Sequence, residues 1–300
     1  MPDMALVTLS KLCNAGVNIV GVVPPDKQNQ TYDFFVQFAD SFGLRVIDYE
    51  NSLKEPLFLN KIKALEADIA VVCSYNKLFP PEFLKLTKDG FINTHPSLLP
   101  EYRGANPYSH VIINDEKETG VTFHFMDESF DTGDIIAQYK APVHEHETMG
   151  TLFNKLNFLG ADALLQVLTY YEKNSVLPRV KQAEGDYKKA CSIDIKFGNC
   201  LIDWDKPATE IERFIRALNP FICAGTKYRG SYVKIYTSFV QNKNTKELPG
   251  TIVHLKDTVG VACKEGLLHI KTLQVGSYLS GDAKDFMKVF NPKVGEKFEL

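Results

Sequence analysis

The chain has 300 residues and a mass of 33.8 kDa, with 44% of positions apolar and 24% charged, which excludes a wholly disordered polypeptide. Lys and Arg total 34 against 37 Asp and Glu, a formal charge of −3, so the protein is no generally basic coat for nucleic acid. Six cysteines, at 13, 73, 191, 200, 223 and 263, contain no CxxC pair; this argues against a structural zinc and for free thiols in a reducing, cytoplasmic setting. No apolar run approaches the roughly 20 residues that a bilayer crossing needs, and no membrane partner is expected.

In chain order, MALVTLSKL reads as a helix and VNIVGVV as a strand. A parallel sheet ordinarily opens on a strand, so the pattern predicts one more strand ahead of that helix. QTYDFFVQFADSFG then reads as a helix, LRVIDY as a strand, PLFLNKIKALEA as a helix and DIAVVCSY as a buried strand. Short β-branched runs between longer amphipathic segments are the mark of βαβ units, whose sheet binds ligands at the carboxyl ends of its strands. The next such end is GFINTHPSLLPEYRGANP, where prolines 96, 100 and 107 predict an ordered loop. GVTFHFM follows as a strand, DESFDTGDII as a turn-rich segment, and a helix is predicted from Thr148 to about Tyr171.

Beyond residue 200 the pattern changes. LIDWDKPATEIERFIRAL offers a Pro-started helix, and SYVKIYTSFV, GTIVHLK, TVGVACK and LLHIKTL are short strands separated by turn residues. The expected organisation is an α/β Rossmann-like domain with a mostly parallel sheet over 1–189, a linker over 190–202, and a small open β-barrel of the OB-like kind over 203–300. Residues 1–200 carry 19 basic and 26 acidic side chains, a balance of −7, whereas residues 201–300 carry 15 and 11, a balance of +4.

Asn93 and His95 are separated by one residue, so an extended backbone directs both to one side of the sheet end. With Asp131 they supply an imidazole for proton transfer, a carboxylate to orient it and an amide donor for a developing oxyanion, the parts that acyl transfer requires. Competing chemistries have weaker support. There is no GxSxG elbow, and Ser97 reads as part of the HPSLLP turn; there is no HExxH, and His144 and His146 are poor metal ligands by spacing. His110 and His124 read as structural or surface imidazoles. GxGxxG and GxxxxGK[ST] are absent, and in DTGD the plain reading is that Gly133 permits a tight turn while Asp134 caps a backbone segment.

The segments FINTHPSLLPEYRGANP and MDESFDTGDII, with LIDWDKPATEIERFIRALNPF downstream, resemble the folate-dependent formyltransferase family, in the branch acting on methionyl-tRNA and sugar amines. The resemblance spans nearly the whole chain, MPDMALVTLSKL being similar to the helix after the family's first strand. It implies 10-formyltetrahydrofolate as formyl donor, a primary amine as acceptor and no metal. It places Asn93, His95 and Asp131 in the active triad, Tyr75, Asn76, Lys77, Leu78 and Gly133 near the folate, and Arg103 and Tyr102 near the acceptor.

Charged initiator tRNA is the favoured acceptor, given the second domain and its positive balance. A nucleotide-linked amino sugar is the alternative, since VVPPDKQNQTYDFF lacks a long basic insertion; Tyr102, Tyr108 and Phe221 are then candidate stacking rings. A catalytically inactive folate or nucleotide-sugar binding protein is a third reading.

Overall fold

A computed structural model describes residues 3–49, 52–75, 78–194, 196 and 198–299. The chain divides into two compact units, and the division is interleaved: the first holds Met1–Pro107, Glu118–Pro142 and Asn154–Ala190, the second Tyr108–Lys117, Val143–Phe153 and Cys191–Leu300.

The first unit opens with α1 (Asp3–Asn14), and the following strand-like segment pairs in parallel with the next at Val22 and Val46. α2 (Tyr32–Ser41) buries Phe35 and Ala39, and α3 (Pro56–Lys63) begins on a proline whose missing N–H is no loss in a helix's first turn. β1 (Ala70–Val72) lies parallel to β2 (Phe91–His95), with Val72 opposite Asn93. A two-residue strand, β3 (Arg103–Gly104), leads into α4 (Pro107–Ile113). β4 (Glu118–Phe125) and β5 (Ile135–Pro142) complete a sheet of order β1-β2-β4-β5. The Rossmann-like α/β layering is as the sequence predicts, but the pairing is mixed. β4 runs antiparallel to both of its neighbours, β2 and β5, because a short excursion through α4 reverses the chain instead of a full crossover.

α5 (Met149–Asn174) covers this sheet. Where it crosses β2, Gly160 lets the helix come so close that an added Cβ would stand 3.3 Å from Thr94 Cγ2. Thr94 thus faces the helix, while its neighbours Asn93 and His95 face the other way by the two-residue period of a strand. β6 (Lys189–Ala190) pairs in parallel with β3.

The second unit contains α6 (Ala208–Leu218) and a curled sheet of β7 (Ala224–Tyr228), β8 (Ser231–Gln241), β9 (Ile252–Leu255), β10 (Val259–Ala262), β11 (Leu267–Val275) and β12 (Leu279–Asp282). α7 (Ala283–Phe290) and β13 (Phe298–Glu299) follow, and all the pairings in this sheet are antiparallel. This is the half-barrel expected from the short-strand pattern. α6 turns Ile211, Ile215 and Leu218 onto it, and Asp282 caps α7 by accepting the Asp285 N–H at 3.0 Å. Among the described residues no helix is long and apolar enough to cross a membrane.

Phe286 is fully buried, stacked on Phe290 and Phe298 and edge-on to Tyr228. Phe286→Ala is expected to lower unfolding free energy by about 3–5 kcal/mol in urea titrations; a loss below about 1 kcal/mol contradicts this packing.

Candidate active site

β2 delivers Asn93 and His95 to its carboxyl end, and the loop after β4 brings Asp131 to meet them. His95 Nδ1 stands 3.4 Å from Asp131 Oδ1, and His95 Nε2 stands 2.9 Å from the Tyr102 carbonyl oxygen. A carbonyl only accepts, so Nε2 carries the hydrogen and the neutral ring keeps its lone pair at Nδ1, facing the carboxylate. Protonation at Nδ1 converts a repulsive contact into an N–H···O pair. The site therefore holds an imidazole ready to take a proton at one defined atom.

Burial pushes the His95 imidazole below its ordinary value of 6.5, against the opposing pull of Asp131. Burial also acts to raise the Asp131 carboxyl, while His95 and the Gly104 N–H act to lower it, and the net shift is downward from 3.8. At neutral pH the pair is thus a neutral imidazole and a carboxylate, the states that a base and its stabilising partner require.

Two loops hold this pair, and both carry strained backbone. Tyr102 and Asp131 adopt φ of 62° and 59°, the left-handed region that costs a non-glycine residue roughly 1–3 kcal/mol. The first loop is fixed by Ser97 Oγ donating to the Glu101 carbonyl at 2.6 Å and by Thr122 Oγ1 donating to the Ser97 carbonyl at 2.6 Å. Ser97 is fully buried in that turn, as its sequence context predicts. The second is fixed by the Gly104 N–H donating to Asp131 Oδ2 at 3.0 Å and by Gln182 Nε2 donating to the carbonyls of Asp131 and Gly133 at 2.8 and 2.9 Å.

Gly133 meets the backbone at close quarters, since a Cβ there would lie 1.9 Å from the Phe125 carbonyl oxygen. It holds the loop's path by that close approach. Arg103 donates from Nε and Nη2 to Gln182 Oε1 at 3.1 and 2.5 Å, which ties the rim of the site to the Asp131 loop.

Tyr75 follows β1 off its carboxyl end, half-buried against Phe79, with its hydroxyl beside that of Tyr49. Leu78 is exposed and is not core. Asn76 and Lys77 lie outside the described residues. The Tyr102 ring, one of the candidate stacking rings, is buried, and its carbonyl oxygen accepts from His95 Nε2. In the second unit Tyr108 is buried edge-on to Phe153, whereas Phe221 is exposed. His110 is a structural imidazole bonded to the Cys191 carbonyl. Among the described residues no group of His, Cys, Asp or Glu is arranged to hold a metal.

Two residues that sequence reasoning passed over sit at the centre. His124, expected to be structural or on the surface, is buried with Nε2 3.1 Å from Asn93 Nδ2 and 3.7 Å from Asp131 Oδ1. Gln182 had no local signal, lying 51 residues beyond Asp131. A search for polar residues on β4 facing Asn93 across the strand pair finds His124, because the two are directly opposed.

Residues 9–168 match the formyl transferase family and residues 194–291 match the formyl transferase C-terminal domain. The chain belongs to the formyl transferase family. It is 36% identical over 279 residues to the methionyl-tRNA formyltransferase of Caldanaerobacter subterraneus subsp. tengcongensis, covering 91% of this chain and 89% of that protein. It is 34% identical to the methionyl-tRNA formyltransferase of Halothermothrix orenii, covering 99% and 97%. In fold it is similar to the N-formyltransferase of Helicobacter canadensis in complex with folinic acid and dTDP-3-aminofucose, at TM-score 0.66 and 22% identity, covering 89% of this chain and 94% of that one.

Two outcomes follow from this geometry. Gly133→Ala is expected to displace the Asp131 loop and cut turnover on the order of 10²-fold with the protein still folded; unchanged turnover contradicts the close approach. Because the folded His95 value lies below 6.5, the unfolded chain binds more protons below that pH, so stability falls as pH drops under about 6.5. His95→Asn is expected to reduce that slope in urea titrations across pH, and an unchanged slope contradicts the assignment.

Proposed function

We propose that this protein transfers the formyl group of 10-formyltetrahydrofolate to the amino group of methionyl-tRNA, with Asn93, His95 and Asp131 as the catalytic residues. The observation that carries the reading is the meeting of His95 and Asp131 beside Asn93 at one strand end, in a chain of the formyl transferase family. The folate supplies, when bound, a carbonyl activated for attack by an amine. The residues present fit such a donor: half-buried Tyr75 and exposed Leu78 follow β1 off its carboxyl end, and the last residue of β1, Val72, is paired with Asn93. Asn76, Lys77 and Gly133 belong to the same proposed wall.

Asn93 Nδ2 has two hydrogens, and one is committed to His124. The other is available to the formyl oxygen as negative charge grows there, a contribution worth roughly 3 kcal/mol for one well-aimed donor. His95 accepts the amine's proton at Nδ1, and Asp131 stabilises the imidazolium that results. Buried surroundings strengthen this charge pairing relative to water.

For the acceptor, the support is the 36% identity to a methionyl-tRNA formyltransferase over 91% of the chain and the +4 balance of residues 201–300. Initiator tRNA is then the macromolecular partner, Arg103 contributes to the acceptor side, and a cytoplasmic location follows. A second reading, a nucleotide-linked amino sugar, is favoured by the short passage over residues 24–31 between the strand-like segment ending at Val23 and α2.

The expected result is formyl-methionine, detected by mass, when the protein is mixed with 10-formyltetrahydrofolate and charged initiator tRNA. His95→Ala is expected to cut the rate by about 10²–10⁴-fold. Formylation of a nucleotide-linked amino sugar instead moves the assignment to the second reading, and turnover of neither acceptor overturns both.

A further inference from the structure

His124 Nδ1 lies 2.8 Å from the Phe125 carbonyl oxygen, which only accepts, so Nδ1 carries the ring's hydrogen. Nε2 of the neutral ring is then a bare acceptor, and Asn93 Nδ2 stands 3.1 Å from it. This settles which way the Asn93 amide faces, because the reverse orientation would set its oxygen lone pairs against that of Nε2. Asp131 Oδ1, 3.7 Å from the same nitrogen, is beyond hydrogen-bond length and has no hydrogen to donate as a carboxylate.

The amide is planar, so committing one Nδ2 hydrogen to His124 fixes the direction of the second. We infer that His124 is a positioning residue: by accepting one N–H of Asn93 it aims the other at the formyl oxygen, an inference that rests on the transfer reaction proposed above. With that acceptor removed, the amide is free to turn its own oxygen toward the reacting carbonyl, where it repels the developing charge. The interaction matters most once charge has grown on the oxygen, so its loss appears in kcat and not in substrate binding.

The ring has little freedom of its own. Its side chain is 2% exposed, and β4 pairs with β2 so that His124 stands directly opposite Asn93, on the same face of the sheet.

Two measurements test this. Long-range proton–nitrogen spectra of the intact protein without substrates are expected to show His124 protonated at Nδ1 and bare at Nε2 at neutral pH. A ring protonated at Nε2 overturns the inference, and this readout stands even if the protein formylates no amine. In steady-state kinetics His124→Phe is expected to lower kcat on the order of 10²-fold with both KM values within about twofold of wild type. His124→Gln places an amide oxygen within reach of the same N–H and is expected to recover most of that loss. Equal losses in the two variants, or a loss confined to KM, overturn the positioning role; if the Phe variant fails to fold, the spectra and the Gln variant decide.

Discussion

A buried imidazole facing a partly buried carboxylate is the constraint around which the first unit is arranged. His95 and Asp131 are 5% and 13% exposed at their side chains, and neither would keep a useful protonation state alone in such surroundings. Burial disfavours charge on both, while each favours charge on the other. The outcome is a carboxylate that remains ionised and an imidazole that remains neutral until a proton arrives. The Tyr102 carbonyl completes the arrangement by holding the ring's other nitrogen, so that the incoming proton has one place to go.

The cost of this arrangement is visible in the backbone. Tyr102 and Asp131 both sit at positive φ, and hydrogen bonds from Gly104, Thr122 and Gln182 offset that strain. Gln182 also takes the Arg103 guanidinium, so the rim and the carboxylate loop move together or not at all. Such supporting contacts are what keep reacting groups within a fraction of an ångström of working geometry.

Much of this was legible in the sequence. The Asn-x-His spacing on a strand, the turn-rich segment bearing Asp131, and the change to short strands beyond residue 200 each correspond to a structural feature, because they rest on local periodicity. Three things were not. The antiparallel pairing of β4 with β2 and β5 depends on how a short connection folds back, which no periodicity reports. His124 was passed over because its place opposite Asn93 depends on how β2 and β4 pair, which neither strand's own pattern reports. Tyr102 entered only as a candidate ring beside the acceptor, because an aromatic residue in a Pro-rich loop gives no sign that its carbonyl is the group that holds His95.

The most direct test of the central pairing is a nitrogen-detected titration of His95 in the wild type and in Asp131→Asn. Asp131 opposes the downward push of burial, so the variant's imidazole should titrate at a lower pH than the wild type's, with the hydrogen at Nε2 retained in the neutral form. An unchanged or higher value in Asp131→Asn would mean that the carboxylate does not govern this imidazole, and the account of proton transfer would fail.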